Sequence, residues 1–77
     1  MTDKTPKRLK EARELIGYSI NKAAKKSNIN PDRLYSFEGG TQEPKFSELA
    51  ILAEIYKRTT EDLMSDTPIV GETFIWD

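Results

Sequence analysis

The chain has 77 residues, a formal net charge of -1, and neither cysteine nor histidine. A chain this short buries only about 60% of its unfolded surface, so one small domain is expected. The missing residue types exclude disulfides, thiolate chemistry, the usual zinc sites and histidine-based acid-base catalysis. No apolar run approaches the roughly 18 residues that span a bilayer, and the first residues lack a hydrophobic signal core. A cytoplasmic protein without membrane contact or cofactor is the simplest expectation.

The charge is unevenly placed. Through Ser36 nine basic residues stand against four acids, whereas from Phe37 onward nine acids stand against three bases. A positive first half and a negative second half suit a protein that meets a polyanion with one side; chance asymmetry of solvated helix faces is the alternative.

Taken in order, Thr5-Pro6 reads as a cap and first helical residue, and Leu9, Ala12, Arg13 and Ile16 follow at i, i+3, i+4 and i+7 before Gly17. The first helix is therefore expected over residues 6–16. Arg13 lies within that apolar stripe, so it either has a partner or carries its charge out to solvent. Ser19 caps a second helix over residues 20–27, with Ile20, Ala23, Ala24 and Ser27 inward and Lys22, Lys25 and Lys26 outward. Asn28 suits the left-handed residue that ends it, since a short polar side chain tolerates positive φ.

Asn30 is a good N-cap, and Pro31 has its φ preset for a first helical position. A third helix over residues 31–38 follows, with Leu34 and Phe37 on one face, Asp32, Arg33 and Ser36 on the other, and Gly39-Gly40 as its stop. After a short loop, Phe46, Leu49, Leu52, Ala53 and Tyr56 form the inner stripe of a fourth helix over 46–57, with Glu48, Glu54 and Lys57 outside. Thr59 or Thr60 caps a last short helical turn containing Glu61, Asp62, Leu63 and Met64. The domain is thus expected over residues 6–64. In residues 65–77 the composition shifts, with Ile69, Val70, Phe74, Ile75 and Trp76 set around Gly71-Glu72. This tail is expected either as a small hairpin or arm packed on the domain, or as a contact for a partner, including a second copy in a homodimer; a disordered end is the alternative.

The run from Arg8 to Met64 resembles the lambda-repressor-like, Xre-type helix-turn-helix family. The resemblance rests on Arg13 with Gly17-Tyr18-Ser19, on Ala24, on Ile29-Asn30, on Leu34 with Phe37-Glu38-Gly39-Gly40, and on Pro44, Phe46, Leu49, Leu52-Ala53 and Glu61-Asp62-Leu63. It implies an all-α, five-helix domain and a double-stranded DNA partner. It also implies that Arg13 pairs with Glu38 as a structural ion pair. In that family the start of the second helix and the loop after the third grip phosphates, and the third helix reads bases. Carried over, Ser19, Thr41 and Gln42 hold the backbone, Asn30, Asp32, Arg33 and Ser36 face bases, and Lys22 with Lys25 and Lys26 adds attraction. Arg33 is the leading base reader, because a guanidinium fork matches guanine O6 and N7.

The implied function is a sequence-specific transcriptional regulator, a repressor that occupies two half-sites as a dimer. Ile20, Asp32 and Glu43 stand where the family more often places polar or basic contacts, which favours an alternative: a protein-interaction module on the same fold, such as a repressor modulator or an antitoxin. Paired acids such as Glu11 and Glu14 lie within helices and read as solvated faces, so no enzyme is expected.

Overall fold

The computed structural model describes residues 4–65. Five helices follow in order: α1 Thr5–Ile16, α2 Ile20–Ser27, α3 Pro31–Gly39, α4 Phe46–Tyr56 and α5 Thr60–Leu63. The described residues contain no strand, and no helix among them is long and apolar enough to cross a membrane. The expected tail contacts Ile69, Val70, Phe74, Ile75 and Trp76 lie outside the described residues.

The helices close around one core built from Leu9 and Ala12 of α1, Ile20, Ala23 and Ala24 of α2, Leu34 and Phe37 of α3, Leu49, Leu52, Ala53 and Tyr56 of α4, and Leu63 of α5. Small residues at 12, 23, 24 and 53 let the backbones approach closely, and the larger side chains interdigitate between them. Helix α1 packs on α3, α4 and α5, while α2 packs on α3 and α4. Gly17 and Gly40 adopt φ +82 and +81 and end α1 and α3, a conformation in which glycine has no Cβ penalty.

Several expectations need correcting. The first helical bond runs from Arg8 N to Lys4 O, so Lys4 takes the cap position and Thr5 lies inside the helix, buried, with its hydroxyl unpartnered. Phe46 is 64% exposed instead of joining the inner stripe. Helical side chains lean toward the N-terminus, so at the first position of α4 this ring leans off the end of the element. Lys57 does not continue α4; it takes φ +61 and ends the helix, with Arg58 N bonded back to Ala53 O at 2.8 Å. Glu48, expected outside, is partly buried and accepts from the Lys45 backbone N–H at 2.8 Å. Helix α5 is closed by Thr59, whose hydroxyl accepts from Asp62 N at 3.0 Å while Asp62 reaches back to Thr59 N.

Candidate nucleic-acid interface

Helix α2 begins where Ser19 Oγ accepts from Lys22 N at 3.1 Å, which uses an acceptor lone pair and leaves the hydroxyl proton to be donated elsewhere. One and two turns further along, the ammonium groups of Lys22 and Lys26 stand 5.1 and 5.5 Å from the centroid of the Tyr18 ring. Attraction to the ring face holds both charges in place. Tyr18 in turn packs against Tyr56 at 6.4 Å between centroids.

The turn between α2 and α3 is held by Ser27 and Asn28. Buried Ser27 donates its hydroxyl to Ala23 O at 2.7 Å and accepts from Ile29 N at 3.3 Å, and Asn28 turns the chain at φ +60. Ile29 then enters the core. Asn30 Oδ1 accepts from Asp32 N at 2.8 Å, so the cap fixes Asn30 and leaves its amide N–H groups as donors. An open depression of about 1050 Å³ at this turn brings together Lys22, Lys25, Asn28, Asn30 and Pro31.

Along α3, Leu34 and Phe37 are buried, while Asp32 and Tyr35 are exposed and Ser36 is partly so. Asp32 and Ser36 stand one above the other at i and i+4. Arg33 is about 100° round the helix from Asp32 and about 60° from Ser36, at the edge of that face nearest α4, and is partly buried. Its Nε and Nη2 donate to the Glu48 carboxylate, the shortest contacts being 2.8 Å, and its guanidinium carbon lies 5.0 Å from the Phe37 ring centroid. Among the described residues Nη1 makes no hydrogen bond. The fork that was expected to read guanine is therefore engaged by Glu48 of α4.

Thr41 and Gln42 are exposed beyond the other end of α3, where the backbone N–H groups of both bond to Ser36 O; the turn depression does not include them. Beneath this surface, Arg13 Nε and Nη2 donate to the two carboxylate oxygens of Glu38 at 2.8 and 3.0 Å, and Nη1 donates to Tyr18 O at 2.8 Å. The two side chains retain 12% and 10% exposure. Hydrogen bonding to Glu38 raises the Arg13 pKa, against the opposing effect of burial. Burial first, and then the charge of Glu38, push the phenol of Tyr56 well above its ordinary value, with Arg13 offsetting part.

The short, asparagine-turned connection between α2 and α3, with the second helix half in the core and half outward, is the geometry of a helix-turn-helix. The family model described as "Helix-turn-helix" matches residues 9–63. The chain belongs to the helix-turn-helix family. Over 58 residues it is 38% identical to a protein named HTH-type transcriptional regulator ImmR of Bacillus subtilis (strain 168), a match covering 75% of this chain and 46% of that protein. The chain thus spans about half the length of the curated relative it matches. No solved structure matches significantly.

Two features at or beside the helix-turn-helix were missed by the sequence reading. Tyr35, 64% exposed, falls on the outward side of α3 between Asp32 and Gly39. Its phase, about 160° from Phe37, was the available signal. The role of Glu48 had a signal too, an acid in the first turn of α4, but its pairing with Arg33 depends on how two helices fifteen residues apart come together.

Proposed function

We propose that this protein is a sequence-specific DNA-binding transcriptional regulator of the Xre type, a repressor that occupies an operator with α3 in the major groove. The observation that carries this reading is the outward face of α3, where Asp32, Tyr35 and Ser36 stand clear of the core beside an α2 that bears Lys22, Lys25 and Lys26. In this reading Ser19, Thr41 and Gln42 donate to phosphates, and the lysines add a salt-sensitive attraction without sequence preference. The Asn30 amide and the Ser36 hydroxyl offer donors to base edges, and Asp32 accepts from a cytosine amino group. Arg33 acts through its remaining Nη1 edge, oriented by Glu48. Two copies related by a two-fold axis would place their α3 helices about 34 Å apart, one turn of duplex.

The test is selection of random duplex DNA on the purified chain at near-physiological salt. A palindromic or repeated site is expected, with Asp32→Ala and Ser36→Ala each relaxing the preference at one position by about 1 to 3 kcal/mol. Lys22→Ala is expected to weaken binding evenly across sequences and to reduce the salt dependence.

One observation favours the second reading, a protein-interaction module on the same fold. Ile20, where the family more often carries a glutamine that meets DNA, is 8% exposed and part of the core. Absence of any enriched site even at low salt would move the protein to that class.

A further inference from the structure

Tyr35 is the largest side chain on the outward face of α3, and the DNA-binding reading leaves it without a role. It is 64% exposed, and among the described residues its hydroxyl makes no hydrogen bond and its ring meets no second ring or cation. A single exposed aromatic residue is ordinary on a protein surface. Its neighbours on α3 make this one informative.

Tyr35 lies about 60° round the helix from Asp32 and about 160° from Arg33, so it forms the edge of the outward face away from α4. Pro31 is its neighbour one turn earlier on that edge; it is apolar and has no N–H to donate. Gly39 brings no side chain to the face, and at the other edge Arg33 is tied to Glu48. The polar side chains left on the face are those of Asp32 and Ser36, both shorter than tyrosine. A face so poor in donors has to discriminate base pairs largely by apolar contact. In the major groove the apolar group on a base edge is the C5-methyl of thymine, which an apolar side chain can cover. A tyrosine ring suits that contact, because it brings a large flat area and loses the freedom of only two side-chain torsions.

We infer that Tyr35 is a specificity-determining residue for thymine, its ring covering the C5-methyl group of one thymine in each half-site. This role rests on the DNA-binding reading, with α3 in the major groove. Asp32 and Tyr35 are about 4.5 Å apart along the helix axis, and one base-pair step is about 3.4 Å. The thymine therefore stands within one or two base pairs of the position that Asp32 reads. The ring carries the recognition and the hydroxyl does not, so phenylalanine serves equally well at this position.

The test uses the full 77-residue chain and the site that it selects from random duplex DNA. Each thymine of that site would be replaced in turn by deoxyuridine, which removes the methyl group and leaves the hydrogen-bonding edge unchanged. Dissociation constants at one fixed salt concentration would be measured for the parent, Tyr35→Ala and Tyr35→Phe, with helix content checked by circular dichroism. At one thymine of each half-site, uracil is expected to weaken binding of the parent and of Tyr35→Phe by about 4-fold, the factor that corresponds to one buried methyl group. Tyr35→Ala is expected to bind more weakly and to show no uracil penalty at that thymine. A penalty that persists in Tyr35→Ala overturns the role of Tyr35 and leaves the DNA-binding reading intact. So does a Tyr35→Ala variant that selects the parent's site with undiminished affinity, which would leave the ring to a protein partner. Failure of the parent to select any site, even at low salt, overturns the DNA-binding reading itself and this role with it.

Discussion

Arg33 of α3 and Glu48 of α4 form a forked ion pair, with Nε and Nη2 of the guanidinium against both carboxylate oxygens. The same carboxylate also receives the Lys45 backbone N–H. Glu48 therefore serves two elements, joining α3 to α4 and closing the start of α4, because lysine at the cap position has no side-chain oxygen to accept a backbone N–H. The two halves of this pair should then behave unequally. Arg33→Met removes a partly exposed pairing and is expected to cost about 1 kcal/mol or less. Glu48→Ala also opens the helix end and is expected to cost about 1 to 2 kcal/mol. Urea unfolding of the two variants measures the difference, and equal losses would remove the capping role.

The pair also predicts an acid limb. Burial pushes the Glu48 carboxyl up, but the Lys45 N–H, the Arg33 hydrogen bonds and both positive charges outweigh it and hold the group below its ordinary value. With the folded pKa below the unfolded one, the unfolded state binds the proton first as pH falls. The stabilisation is thus complete above the ordinary carboxylate value of about 4.3 and is lost as pH falls through the folded value. Urea midpoints measured between about pH 6 and pH 3 should fall less steeply for Glu48→Gln than for the parent.

The Arg13 and Glu38 pair is more deeply placed, and Arg13 is further tied to Tyr18 O. Arg13→Met strands the Glu38 carboxylate beside Tyr56 and is expected to cost about 3 to 5 kcal/mol. Chemical denaturation would show it, and a loss below about 1 kcal/mol, the range of surface pairs, would mean that water satisfies Glu38 instead.

Among the described residues two non-glycine residues adopt left-handed backbone, Asn28 and Lys57, and they should respond differently to glycine. Lysine has no local side-chain hydrogen bond to offset the roughly 1 to 2 kcal/mol cost of this conformation. Lys57→Gly is therefore expected to stabilise by about 0.5 to 1 kcal/mol after the entropy of the freer unfolded chain is counted. Asparagine tolerates the conformation, so Asn28→Gly should stay within about 0.5 kcal/mol. Thermal melts of both variants settle the comparison, and a Lys57→Gly variant that melts lower than the parent would contradict it.

Much of this was written locally. Ser19, Asn28, Asn30, Pro31 and Gly40 determine where α2 and α3 begin and end, because caps, preset φ and left-handed residues act within one turn of chain. The spacing of Leu9, Leu34, Phe37, Leu49, Leu52 and Tyr56 determines the buried faces for the same reason. The pairing of Arg13 with Glu38 came into view only through the family resemblance, since twenty-five residues separate the two and no local period links them.

What the tertiary structure decided lies where elements meet. Arg33 and Glu48 both look like solvated charges on their own helices, and only the packing of α3 beside α4 joins them into a forked ion pair. Arg8 counts in the sequence only as one base of the positive first half and is buried in α1, beside Glu11. Lys57 carries no local signal for the turn it makes. A side chain's charge and phase are properties of its own helix, but its partner is set by distances between helices, and those emerge only when the core closes.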